Sequence, residues 1–150
     1  MLWDRVACVY DIIANVINRK ANRALCAAVA EQISPTDAVL ECACGTGLLT
    51  GVAAPRCGSL VATDFSAQML KRAEKKYGKY CNVRFEQADI TQLSHADGSF
   101  DIAVTANVIY MLDDPHSALR EPSGISAFCI LYICAAFQYR KPPVFAENLT

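Results

Sequence analysis

Histidine is nearly absent from this chain: there are two in 150 residues, His95 and His116. Charged residues make up only 19%, and 14 basic side chains against 15 acidic ones leave a net charge of −1. A protein that neutralises a phosphate backbone needs a basic surplus, so nucleic acid is not an expected partner. The longest unbroken apolar run extends only from Ala127 to Phe137. A spanning helix needs about 18 residues or more, so no membrane span is expected. The opening Met-Leu-Trp-Asp-Arg puts charge where a signal peptide carries its apolar stretch, which favours a cytoplasmic location over export. No Cys-x-x-Cys pair occurs among the eight cysteines, so buried free thiols are expected rather than disulfides, and no metal site is expected.

What is present is an apolar fraction of 53%, well above that of disordered chains, and a length that fits one domain. Residues 1–35 read as N-terminal helices. Trp3, Val6, Tyr10, Ile13 and Ile17 recur at helical spacing, Asn18 to Asn22 suggests a bend, and Ala24, Leu25, Ala28 and Val29 continue the pattern to Pro35. A strand is expected over 38–43, then a tight turn at Cys44-Gly45-Thr46-Gly47 and a short helix over 48–54. A second strand, 60–63, ends at Asp64. Ser66 is placed to cap a helix that carries Met69, Leu70, Ala73 and Tyr77 on one face, with Gly78 suited to a left-handed end. A third strand, 83–88, ends at Asp89. After the turn at Ala96-Asp97-Gly98-Ser99 comes a fourth strand, 100–105, and Asp114-Pro115 opens another helix. Alternating strands and helices predict an α/β fold: a parallel sheet with helices on both faces.

In such a sheet ligands bind beyond the carboxyl ends of the strands. Gly45 and Gly47 allow a sharp turn and a close approach to the backbone. Asp64, at the end of the second strand, can accept from ribose hydroxyls. Asp89, at the end of the third, can accept from an exocyclic amine. Glu41 lies at the base of the turn, where it can organise amides or meet an ammonium through water. Three acids around one ligand favour a cationic one. A dinucleotide site would carry Gly-x-Gly-x-x-Gly, but Thr50 stands in the third glycine's place. A Gly-Lys-Ser/Thr phosphate loop is also missing.

Each residue also has a plainer role open to it. Asp64 can cap the following helix, Asp89 can belong to a turn, and Glu41 can be one half of a buried ion pair. Trp3, Tyr10 and Tyr110 fit a packed core. Both histidines fit the solvent-exposed surface, and Lys71, Lys75, Lys76 and Lys79 fit a solvated face.

Four segments, Glu41-Cys-Ala-Cys-Gly-Thr-Gly47, Leu60-Val-Ala-Thr-Asp-Phe-Ser66 with Met69-Leu70, Gln87-Ala-Asp89-Ile90, and Ser99-Phe-Asp-Ile-Ala-Val-Thr-Ala-Asn107, together resemble a class I S-adenosylmethionine-dependent methyltransferase. The opening Trp3-Asp-Arg-Val with Tyr10-Asp11 is similar to the ubiquinone/menaquinone-biosynthesis branch. The likeness runs from Trp3 to Glu121 and implies a Rossmann-like fold with S-adenosylmethionine as cofactor and a small-molecule acceptor. It implies that the turn containing Glu41, Cys42, Ala43, Gly45 and Gly47 holds the methionine part. Asp64 would hold the ribose, with Phe65 and Met69 beside the adenosine, and Asp89 and Ile90 the adenine. Ala106 or Asn107 would offer backbone to the amino-acid end, and Tyr10 would close the site. Ala43 departs from the usual glycine; it is small and is expected to be tolerated if its φ is negative. No general base is assigned.

The resemblance stops at Glu121, leaving 36–121 as the cofactor-binding core and 122–150 as an atypical tail. The family would add three more strands; the run from Ile125 to Phe137 offers a shortened route into the first of them, and the stretch from Pro122 to Thr150 is expected to be too short for all three and their helices. The expectation is a sheet incomplete on its C-terminal side, with self-association through an apolar edge unless residues 127–137 cover it. Two rival readings follow: a catalytically inactive fragment that binds cofactor weakly or not at all, and, on the glycine turn alone, a nicotinamide-dependent oxidoreductase.

Overall fold

A computed structural model describes residues 19–108, together with strands at 127–131 and 145–146. The expectations for Trp3, Tyr10, Tyr110, the helix at Asp114-Pro115 and His116 lie outside the described residues.

Helix α1 (Arg19–Gln32) buries Asn22, Leu25 and Val29 along one stripe. It is regular from Arg19, so no bend is seen within 19–22. Strand β1 (Ala38–Cys42) is buried along nearly its whole length, as a central strand must be. Helix α2 is a single turn, Thr50–Ala53, shorter than expected because the glycine turn extends through Leu49. Strand β2 (Ser59–Asp64) leads to α3 (Ala67–Tyr77), where Ser66 accepts the Met69 amide at 3.3 Å as the expected cap. Gly78 is right-handed (φ −61°), contrary to expectation. A Cβ there would sit 2.6 Å from the Glu74 carbonyl oxygen, so close approach is what calls for glycine. Strands β3 (Val83–Gln87) and β4 (Ile102–Ala106) follow.

The sheet order is β3-β2-β1-β4-β5-β6. Strand β5 (Ala127–Leu131) lies parallel to β4, and β6 (Phe145–Ala146) runs antiparallel to β5. The tail therefore supplies two of the three further strands. The β4 edge on which the expected self-association rested is paired, with Ala106 opposite Leu131.

The chain winds from β1 outward to β3, then returns to β4 on the far side of β1. That reversal is the switch point of a Rossmann-like sheet, and ligands bind at its carboxyl end. Side chains alternate between the two faces. Val39, Leu60, Ile102 and Val104 pack with Leu25, Val29, Leu49 and Ala53. Ala62 packs with Leu70 and Ala73 of α3. The opposite face, including Leu40, Val61 and Ala103, is covered among the described residues by Ile90, with Leu93 and Phe100 from the following loop.

Candidate functional site

The turn after β1 is held by its neighbours before any ligand arrives. Ala43 has φ +53°, Gly45 +56° and Gly47 +94°. The negative φ on which tolerance of alanine depended is therefore not met. Its Cβ sits in the left-handed region, at a cost of roughly 1–2 kcal/mol. The Cys44 amide donates to the Thr63 carbonyl at 2.8 Å, and the Gly45 amide to Asp64 Oδ2 at 2.7 Å. Asp64 Oδ1 accepts from the Ser66 amide at 2.8 Å. Asp64 thus does the capping work of the plainer reading and also ties the turn to the end of β2. A carboxylate oxygen carries two lone pairs and can take more than one donor.

Behind the turn, Lys76 Nζ donates to the Thr46 carbonyl at 3.3 Å, so this lysine does more than form a solvated face. Among the described residues a Cβ on Gly45 would meet nothing within 4 Å, whereas one on Gly47 would lie 2.6 Å from the Tyr77 ring. The turn is closed on one side and open on the other.

Glu41 is 2% exposed. The Thr50 hydroxyl donates to its Oε2 at 2.6 Å. Burial pushes the Glu41 carboxyl up to about 8; hydrogen bonds from Thr50 pull against this, and the Asp64 charge adds to it. Glu41 is then largely neutral at pH 7, and no ion pair reaches it among the described residues. The buried-ion-pair reading is thus not met there, and the count of three charged acids falls to Asp64 and Asp89.

Thr63 and Thr105 flank the same strand end, their hydroxyls donating to the Glu41 and Cys42 carbonyls at 3.0 and 2.9 Å. These threonines, with Thr50 and Lys76, escape sequence reasoning. A run of threonines at strand ends is the available signal.

Cys42 and Cys44 are buried free thiols, as expected. Burial, and then the neighbouring Glu41, push Cys42 up to about 12 and raise Cys44 as well. Neither is a ready nucleophile. Cys26 is half-buried and Cys57 buried, whereas Cys81 is exposed, contrary to expectation.

The remaining candidates divide. Phe65 is the one large apolar side chain exposed among the described residues, at 48%, and it directly follows Asp64. Gln87 Nε2 donates to the Phe65 carbonyl at 2.9 Å, and the Ala88 amide to the Asp64 carbonyl at 3.1 Å, which fixes Asp89 beside the end of β2. Asp89 Oδ1 accepts from both the amide and the hydroxyl of Thr91, a turn role, and Oδ2 takes neither bond. Met69 and Ile90 are core residues, 3% and 8% exposed. At the end of β4, Asn107 has φ +59°, and its buried Oδ1 has no hydrogen-bond partner among the described residues. Its neighbour Ala106 is half-buried. Tyr10 lies outside the described residues. His95 is set apart, 3.3 Å from Glu86 and edge-on to Phe100, with 18% of its side chain exposed. It is therefore not the surface histidine that was expected.

Residues 39–124 match the profile of the methyltransferase domain family, and the chain belongs to that family. It is 40% identical over 93 residues to the ubiquinone/menaquinone biosynthesis C-methyltransferase UbiE of Bdellovibrio bacteriovorus, covering 60% of this chain and 40% of that one. The fold is similar to that of an S-adenosyl-L-methionine-dependent methyltransferase structure from Methanococcus maripaludis, with a TM-score of 0.74 at 18% identity, covering 86% of this chain and 63% of the other. It also resembles the N-methyltransferase NodS of Bradyrhizobium japonicum, solved with S-adenosyl-L-homocysteine, with a TM-score of 0.66 at 23% identity, covering 77% and 61%. The chain spans about half the length, or less, of the curated relatives it matches.

Proposed function

We propose that the chain binds S-adenosylmethionine across the carboxyl ends of β1 to β4 and transfers its methyl group to a small-molecule acceptor. The observation that carries this reading is the joint formed by Asp64, Gly45 and Phe65. A carboxylate fixed by two backbone amides stands beside a glycine with open space above it and an exposed aromatic ring. The residues fit an adenosyl cofactor with a charged amino-acid tail. Asp64 accepts the ribose hydroxyls on its carboxylate oxygens, Phe65 covers the adenosine, and Asp89 Oδ2 receives the exocyclic amine. The unpaired Oδ1 of Asn107 supplies an acceptor at the amino-acid end, where only backbone contacts were expected. Met69 and Ile90 back the site from the core rather than lining an open wall.

The bound cofactor supplies an already electrophilic sulfonium methyl. The chain's own residues then need only hold donor and acceptor in line and exclude water. Glu41 in its neutral form supports the turn without adding charge to it. The family membership and the SAH-bound neighbour's fold support this reading, as does the UbiE relative for a small acceptor.

Calorimetric titration of the full chain with S-adenosylhomocysteine tests it. Binding is expected, with Asp64→Ala weakening it by about tenfold or more, the loss of one charge-assisted contact set. Equal affinity in wild type and variant removes the site assignment. NADH is expected not to bind, since Thr50 fills the third glycine position and is engaged by Glu41. Transfer of labelled methyl from the cofactor into a metabolite extract separates an active enzyme from a chain that only binds.

A further inference from the structure

We propose that Tyr77, with Lys76 beside it, is a positioning residue that sets cofactor affinity by bracing the glycine turn from behind. This rests on the cofactor reading above, but the brace itself is visible without a ligand. The Tyr77 ring spans two glycines. One edge, Cε2 and Cδ2, lies 2.6 and 2.8 Å from where a Cβ of Gly47 would stand. The other edge, Cε1, with Cζ and the hydroxyl oxygen, lies 2.7 to 2.9 Å from a Cβ on Gly51. Lys76 Nζ reaches the carbonyl of Thr46, which directly precedes Gly47.

On the opposite side Gly45 faces open space and gives its amide to Asp64. Asp64 begins the link to α3, and Lys76 and Tyr77 end that helix. One β-α unit therefore grips the turn from front and back, and only the ligand-facing side is left free. Gly51 has no positive φ. Its lack of a side chain is explained by the ring that occupies that space. A turn held in this way has little freedom left to lose when a ligand arrives, and such preorganisation is what raises affinity.

The test uses the full chain and S-adenosylhomocysteine. Tyr77→Ala is expected to weaken binding about tenfold, while Tyr77→Phe, which keeps the ring, stays within about threefold of wild type. Amide hydrogen exchange gives a readout free of ligand. In Tyr77→Ala, exchange is expected to rise over residues 44–51, with protection in β1 and β4 retained. Gly51→Ala alone must push the ring aside and should weaken binding as well. In the Tyr77→Ala background it should add nothing or stabilise, because alanine is the better helix former.

Unchanged exchange over 44–51 in Tyr77→Ala overturns the brace, as does strict additivity of the two substitutions. Loss of protection throughout the sheet also overturns it, by showing a general structural role. If wild type binds no S-adenosylhomocysteine, the cofactor reading fails, and the exchange and additivity results still decide the brace.

Discussion

Two turns meet at the switch point of this sheet, and each places a residue other than glycine in the left-handed region. After β1 it is Ala43, at φ +53°; after β4 it is Asn107, at +59°. The first turn is bound on every side but one: by Asp64 at Gly45, by Thr63 at Cys44, and by Lys76 at Thr46. The second ends in a buried acceptor with no donor among the described residues. Asparagine takes left-handed backbone readily, while alanine resists it. The strained residue therefore stands where the surroundings are most fixed, and the tolerant one stands where a polar group is left unpaired. In the proposed cofactor site, rigidity at one turn and an unpaired acceptor at the other would be complementary.

The largest expected effect tests the foundation of the first turn. The Glu41 carboxyl is raised to about 8 by burial, against an ordinary value of 4.5. Between those values the folded chain holds a proton that the unfolded chain has released, so stability falls as pH rises through this window. Glu41→Gln keeps the shape and removes the titration. Urea midpoints should show the variant gaining on wild type by about 1.4 kcal/mol for each pH unit from 5 towards 8. Every other titrating group is shared by the two proteins, so parallel curves would mean that Glu41 ionises normally. The first turn would then rest on a charge.

A smaller effect is expected at the second turn. Asn107→Gly keeps the left-handed backbone accessible and removes the unpaired acceptor. Relief of a buried unsatisfied group contributes about 1–3 kcal/mol, and glycine's extra freedom in the unfolded chain costs about 0.4–1 kcal/mol, so the unliganded chain should be stabilised by about 1 kcal/mol in thermal unfolding. The same change should weaken S-adenosylhomocysteine binding, because the acceptor at the amino-acid end is gone. Stabilisation without loss of affinity would make Asn107 a packing defect rather than a contact.

Much of this arrangement is legible in the sequence, for identifiable reasons. Strands β1, β2 and β4 announce themselves by short apolar runs and β3 by alternation, each followed by Gly, Asp or Asn, and the carboxyl-end acids fall where the motif spacing puts them. Ser66 caps α3 as its residue type demands. Less legible is anything that depends on two distant segments touching. Thr50 with Glu41 and Tyr77 over Gly47 and Gly51 are contacts across the turn. No local period encodes them. Met69 and Ile90 read as ligand neighbours by motif, but packing takes them into the core. The tail reads as too short for three strands and their helices, but its apolar run offers a shortened route into a fifth strand, and pairing with β4 makes 127–131 that strand.

The smallest effect falls on Ala43 and separates strain from function at the rigid turn. Ala43→Gly removes the Cβ that resists φ +53°, a gain of roughly 1 kcal/mol or slightly more. It also gives the unfolded chain the extra freedom of glycine, a loss of about 0.4–1 kcal/mol. The balance is a stabilisation of about 0.5 kcal/mol, readable as a small rise in the urea midpoint. Because Asp64, Thr63 and Lys76 already hold the turn, its geometry should not change, and affinity for S-adenosylhomocysteine should match wild type. Position 43 then gains stability at no cost in binding, whereas position 107 gains it at the expense of binding. A loss of affinity in Ala43→Gly would mean that the alanine methyl itself touches the ligand, and that the first turn recognises as well as supports.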